Sequence, residues 1–174
     1  MKTRSIVLTM PAAAALAGCA AMQGSGPTAL AKLEATRGNT ATGTVTFQQQ
    51  GDQVSVHARI EGLKPGQEHG FHIHEKGDCS SGDGMSTGGH FNPGGKPHGA
   101  PDADHHAGDL PALKADAQGR ADVKYSVGGI GIGSGSADIV GKGLIVHAMP
   151  DDYRTQPTGN SGARIACGVI TRQP

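Results

Sequence analysis

The sequence has no tryptophan, and its 174 residues include only two tyrosines and three phenylalanines. With aromatics so scarce, the hydrophobic 36% is carried by Ala, Val, Ile and Leu, an inventory that suits a thin, β-branched core and argues against thick helix packing. No stretch shows a helical period. Neither sign of charge is in excess, with 15 acidic and 15 basic side chains and a pI near 7.1. That balance indicates neither a nucleic-acid binder nor an acidic tail protein. The length suits one modest globular domain. Cysteine is sparse and odd in number, at three. Glycine is abundant, with 29 residues clustered in the middle and toward the end of the chain, where they imply long shaped loops.

The opening "MKTRSIVLTMPAAAALAGC" places Lys2 and Arg4 before an apolar segment too short to span a bilayer. We read residues 1–18 as an export signal. Its ending, Leu16-Ala17-Gly18-Cys19, resembles the bacterial lipobox, in which the cysteine is lipidated and becomes the first mature residue. Residues 19–28 then form a lipidated cysteine and flexible tether, and 29–174 the folded domain. This reading predicts a periplasm-facing protein of the bacterial cell envelope, anchored to a membrane by lipid only. Ala20 is compatible with the outer membrane. Once Cys19 is assigned to lipid, Cys79 and Cys167 are left to pair in an oxidising compartment, the alternative being two free buried thiols. The bond would close a loop of nearly ninety residues, worth roughly 4–5 kcal/mol in the chain-entropy model.

Alternating apolar and polar residues in "ALAKLEA", "TATGTVTFQQQ" and "QVSVHARIEGL", with Gly51-Asp52 as a hairpin signal, predict antiparallel strands. "HGFHIHE", "ADVKYSV", "GLIVHAM" and "RIACGVITR" continue the pattern. Two connections, 77–111 and 148–163, are too long and polar for ordinary hairpins, and such loops are usually functional. The glycine-rich 128–143 fails the G-x-G-x-x-G spacing and precedes no helical pattern, so a nucleotide role is set aside.

Nine histidines remain to be explained, most of them between His69 and His106. In a strand, residues two apart share a face, so His72 and His74 present their rings side by side as a metal edge. The long loop supplies His90, His98, His106 and Asp109, groups of the kind zinc takes in a tetrahedron. His147, at the end of another strand, could meet His72 and His74 across the sheet. Several imidazoles without sulfur favour copper(II).

In order, the motifs G-F-H-I-H-E-x-G-D-C, G-x-H-F-N-P, K-P-H-G-x-P, H-x-G-D-L, V-H-x-x-x-D-D and T-G-N-x-G-x-R-x-A-C-G-V-I closely resemble copper-zinc superoxide dismutase, over about residues 29–172. The resemblance implies an all-β fold, an eight-stranded Greek-key β-sandwich or flattened barrel with two long functional loops. It implies one copper and one zinc per chain and superoxide as substrate. His72, His74, His90 and His147 would hold copper, and His90 would bridge to zinc held with His98, His106 and Asp109. Cys79 and Cys167 resemble the family's disulfide, Arg164 its anion-guiding arginine, and Asp151 the carboxylate linking a copper histidine to a zinc histidine. His69 looks structural, His57 is read as solvent-facing, and His105 carries no role. The second long loop lacks lysines, which leaves Arg154 and Lys96 as candidates for additional steering. The bacterial subunit interface differs from the eukaryotic one, so a homodimer is open to the chain without being implied. The rival reading is a non-catalytic copper- and zinc-binding or delivery lipoprotein of the periplasm, which would need the histidines but neither Arg164 nor the bridge.

Overall fold

A computed structural model of the chain describes residues 26–174. The signal, Cys19 and most of the tether lie outside the described residues. Nine strands form, β1 (Thr28–Ala35), β2 (Thr42–Gln50), β3 (Gln53–Glu61), β4 (Glu68–His69), β5 (Phe71–His74), β6 (Leu113–Lys114), β7 (Ala121–Val127), β8 (Gly143–His147) and β9 (Arg164–Arg172). Seven make one antiparallel sheet in the order β5-β8-β9-β1-β2-β3-β7, and β4 pairs with β6. Because β4 runs into one edge strand and β6 precedes the other, the short ribbon ties the two ends of the sheet together. The sheet is thereby curled toward a barrel, which leaves less edge open to unwanted pairing. The family-type all-β fold is therefore present, but with a different strand count from the expected eight.

The change in count has a local cause in "HGFHIHE", which divides at Gly70. There the backbone turns out of the ladder, with Gly70 N–H donating to Met149 O (2.9 Å) and His147 N–H donating to Gly70 O (2.8 Å). A side chain at Gly70 would lie 2.6 Å from Ser161 Oγ, so the crossing of the two chain segments requires glycine.

Alternation sets the inside of the barrel. Ala29, Ala31 and Leu33 of β1, Val45 and Phe47 of β2, and Val54, Val56, Ala58 and Ile60 of β3 all point inward and are buried. In β5 and β8 every residue is buried, because the other face is covered as well. Phe71 lies opposite Val146 and Ile73 opposite Leu144 on the core side, while His72 lies opposite Ile145 on the outer side. The free edge of β5 is occupied by the first long loop. Phe91 N–H donates to Ile73 O (2.8 Å), Ile73 N–H to Gly108 O (2.9 Å) and Leu110 N–H to Phe71 O (3.2 Å).

Cys79 and Cys167 form a disulfide spanning 88 positions, with Cα atoms 5.9 Å apart. It fastens the start of the first long loop to β9. Closing so long a loop restricts the unfolded chain, so Cys79→Ser is expected to lower unfolding stability by about 2–5 kcal/mol. Urea titration of the metal-free protein checks this, and an unchanged midpoint would show that the bond adds nothing.

Candidate metal centre

The loop's attachment to β5 positions the site. His90 bridges directly opposite His74, and Asp109 opposite His72. Residues directly opposite share a face, so one pairing carries groups from both the strand and the loop to the outer side of β5. His147 reaches the same place from β8, past an irregularity in register between Val146 and His147. His98 is clamped from the second long loop. Its N–H donates to Gln156 Oε1 (2.9 Å), and Gln156 Nε2 donates back to His98 O (2.8 Å).

Two groups of buried donors result, His72, His74, His90 and His147 in one and His90, His98, His106 and Asp109 in the other. Within each group the ligand atoms lie within 4.8 Å of one another. His90 belongs to both, with its ring centroid 4.0 Å from that of His72 and 5.3 Å from that of His98.

The hydrogen bonds decide which nitrogen faces inward. His72 Nε2–H donates to Asp151 Oδ2 (2.6 Å), His74 Nδ1–H to Gly88 O (2.9 Å) and His147 Nδ1–H to Gly162 O (3.2 Å). Each bond leaves the opposite nitrogen with a lone pair aimed at the group's centre. Those nitrogens, His72 Nδ1, His74 Nε2 and His147 Nε2, are buried without a hydrogen-bond partner, as are His90 Nε2, His98 Nδ1 and His106 Nδ1, the last two facing Asp109 at 2.9 and 3.4 Å without the direction of a hydrogen bond. Among the described residues the only other such side-chain atoms are His69 Nε2 and the Tyr125 hydroxyl. Leaving several polar atoms unpaired in one place is costly unless something binds them, so the donor sets fit metal ions. Four imidazoles suit copper, and three imidazoles with a carboxylate suit zinc.

Asp151 ties the groups together, since its other oxygen, Oδ1, accepts from His98 Nε2 (2.9 Å). A side chain at Gly159 would collide with Asp151 Oδ1, and that glycine also has φ of 65°. Both facts exclude other residues there. Burial holds His74 down to about 2, His147 down to about 3 and His72 down to about 4, the last against its bond to Asp151. These three imidazoles are neutral at physiological pH. Burial pushes Asp109 and Asp151 up, but the adjacent histidines outweigh it and hold both carboxyls well below their usual range. His98 moves the other way. Burial lowers it, and the Asp109 and Asp151 carboxylates raise it further, to about 9.

Arg164 lies beside the first group. Its Nη1 donates to Gly84 O (2.7 Å) and Thr87 Oγ1 (2.8 Å), and its Nη2 to Gly88 O (2.8 Å). Gly88 O therefore holds both His74 and Arg164. Residue-type reasoning missed Gly84, Thr87, Gly88, Gln156 and Gly159, since backbone carbonyls and loop clamps carry no signature of their own. Lys96 is a poor steering candidate because it pairs with Asp104 at 2.8 Å. Arg154 is exposed, and no contact of its side chain ties it to either donor group. His105 Nδ1–H donates to His106 O (2.6 Å), His57 pairs with Asp122 (2.7 Å), and His69 is buried with Nδ1–H donating to His147 O (2.8 Å).

A curled antiparallel β-barrel with two buried donor sets fits a metal-binding protein. A model of the copper/zinc superoxide dismutase (SODC) family matches residues 41–170. The chain is 46% identical over 137 residues to an extracellular superoxide dismutase [Cu-Zn] of Drosophila melanogaster, covering 74% of each. It superposes on the crystal structure of the clock protein EA4 with TM-score 0.75 and 41% identity, over 83% of this chain and 93% of that one. A double mutant of a SOD-like protein from Bacillus subtilis gives TM-score 0.74 and 40% identity, over 82% and 96%. The chain belongs to the copper/zinc superoxide dismutase family, whose metals are copper and zinc.

The raised His98 has a consequence for metal binding. Asp151 retains the Nε2 proton, so in metal-free protein below pH about 9 the second group carries a further proton on Nδ1 that a metal must displace. Zinc affinity is expected to climb about tenfold per pH unit up to that value, with one proton released per zinc at pH 7. Calorimetry in buffers of different ionisation enthalpy reads this, and binding without proton release would contradict it.

Proposed function

We propose that the chain is an exported, lipid-anchored enzyme that dismutes superoxide at a copper site joined to zinc through His90. The observation carrying this reading is that His90 belongs to both buried donor groups, next to a guanidinium held with donors to spare. When bound, copper supplies the one-electron cycling by which one superoxide is oxidised to oxygen and a second reduced to hydrogen peroxide.

The chain's residues supply the rest. His72, His74 and His147 would hold copper, fixed in their tautomers by Asp151, Gly88 O and Gly162 O respectively. His98, His106 and Asp109 would hold zinc. His90 Nδ1 is held by Asp109 Oδ1 (2.8 Å), and its unpartnered Nε2 would be the nitrogen able to hold a proton and hand it to the peroxide product. Asp151 couples the two sites mechanically through its bonds to His72 and His98. Three of the guanidinium's five N–H donors are committed to the loop, leaving two for an anion.

A storage or delivery protein would need the imidazoles but not an arginine fixed beside them. Pulse radiolysis of the metal-loaded protein tests the reading, and one copper and one zinc per chain without fast dismutation would refute it. Arg164→Ile is expected to slow dismutation roughly tenfold or more, equivalent to about 1.4 kcal/mol, with both metals retained. Salt should slow the wild type more than the variant, because screening weakens an attraction the variant has lost. Equal rates and equal salt dependence would remove Arg164 from the mechanism.

Export is supported by the signal-like residues 1–18 and by a relative named as extracellular. The anchor rests on the lipobox resemblance at Cys19, outside the described residues. Cys19→Ser is expected to release the protein from membranes into the soluble envelope fraction with its metals intact, since stable anchoring needs more than one chain and all are lost with that cysteine. Wild type carrying no lipid by mass spectrometry would rule the anchor out.

A further inference from the structure

Gly26 and Pro27, part of the tether by sequence alone, are bonded into the barrel. Gln49 N–H donates to Pro27 O (2.9 Å), Gln48 Nε2 to Gly26 O (3.2 Å) and Gln173 N–H to Thr28 O (2.9 Å). A side chain at Gly26 would lie 2.7 Å from Gln49 O, so the chain is pressed against the end of the β2–β3 hairpin from Gly26 onward. The other end of β1 meets Arg164. Thr36 Oγ1 donates to Arg164 O (2.7 Å), and Thr36 N–H to Ile165 O (3.1 Å). Between these ends β1 and β9 run antiparallel in one register, with Ala29 opposite Arg172 and Ala35 opposite Ala166. Thr36 is therefore ten residues beyond Gly26, about 33 Å at the rise of an extended strand.

Cys19 precedes Gly26 by seven residues, and seven residues at full extension reach at most about 25 Å. A Cys19 whose acyl chains sit in a bilayer thus keeps Gly26 within about 25 Å of the lipid surface. Turning the barrel over to set Arg164 on the lipid would lift Gly26 about 33 Å away, farther than the chain can span. The surfaces of the two ends agree with that limit. At the Gly26 end Gln48, Gln49, Gln50 and Gln53 are neutral amides, and the single charges of Asp52 and Arg172 cancel. Such a surface meets an anionic leaflet without net repulsion. At the other end Asp78 and Asp83 are exposed on the segment that grips Arg164, and anionic headgroups repel them. We infer that the hairpin end of the barrel is a phospholipid-facing surface, and that the anchor holds Arg164 outward. At about 30 Å, several Debye lengths of about 8 Å, the leaflet's negative potential does not reach the guanidinium, so the anion approaches it unopposed. The inference rests on the lipid anchor and the superoxide reading proposed above.

Gln53 and Glu61 are exposed residues at opposite ends of β3, Gln53 beside Gln50 at the hairpin and Glu61 beside Thr42 at the Arg164 end. Gln53→Cys and Glu61→Cys each add one thiol for a fluorophore, since lipid and the disulfide take up the native cysteines. The metal-loaded, lipidated protein is bound to vesicles of phosphatidylcholine and phosphatidylglycerol that include a lipid with a nitroxide quencher on its headgroup. The Gln53→Cys fluorophore is expected to be quenched at least about threefold more than the Glu61→Cys one, because the two positions are about 26 Å apart along the strand. Equal quenching in vesicle-bound protein, or stronger quenching of Glu61→Cys, would overturn the inference. Inserting about twenty Gly and Ser residues after Ala21 lengthens the reach well past the barrel, so the ratio should fall toward one. A ratio unmoved by the insertion would overturn the tether as the orienting element. Dismutation by the anchored enzyme should proceed equally on vesicles with and without phosphatidylglycerol, and a rate that falls with anionic lipid would place the guanidinium at the lipid surface instead. A wild-type chain that carries no lipid and does not float with vesicles would refute the anchor, and this inference with it. A chain that floats but shows no difference between the two labelled positions would refute this inference alone.

Discussion

The structure turns on where His90 sits. One ring contributes a nitrogen to each of two buried donor groups, so both groups must be built within a single imidazole's width of each other. That requirement is met by backbone pairing. The first long loop completes the open edge of β5, and its bridges set His90 opposite His74 and Asp109 opposite His72. If the loop slipped by one residue, the paired side chains would point to the other face and both groups would be lost together.

Packing so many polar groups into a buried space is unfavourable unless each has a fixed partner, and the fold supplies partners in layers. Carbonyls of Gly88 and Gly162 and the two oxygens of Asp151 take one proton from each of four histidines. Gly159 must be glycine for Asp151 to be there, and Gln156 locks the backbone of His98. The site's rigidity therefore resides in loops, but in loops whose backbones are bonded to the barrel and to each other. Aromatic bulk is unnecessary. The small residues Ala29, Ala31 and Ala58 let the sheet curl around a slim core, with Phe47 and Phe71 filling its middle.

Much of this was legible in the sequence, and the limits have physical causes. Strict alternation marked β2 and β3, where one face meets the core and the other faces outward. The pattern in "HGFHIHE" marked a strand but not its division, because the break at Gly70 depends on Ser161 and Met149, far away in the chain. β6 is two residues long, too short to show any period, and exists only because β4 lies beside it. The residues of the two donor groups could be picked out because histidine is conspicuous by type and ordered motifs fixed their spacing. The carbonyls and glycines that orient those rings could not, since a backbone acceptor looks the same at every position. Lys96 shows a further limit, since the sequence displays its charge but not the Asp104 carboxylate that pairs with it.

Arg164 shows how far the disulfide's influence extends. Cys167 follows it by three residues on β9, and Cys79 begins the segment whose Gly84, Thr87 and Gly88 grip the guanidinium. The covalent bond and the arginine therefore fasten the same segment to the same strand, at two neighbouring points. Gly88 then passes that constraint to His74 through its carbonyl. A change in the cysteine bond would reach the Arg164 guanidinium and the hydrogen bond that orients His74, without either residue being touched. The guanidinium beside the copper-type group is thus gripped by the very segment that the disulfide fastens to β9.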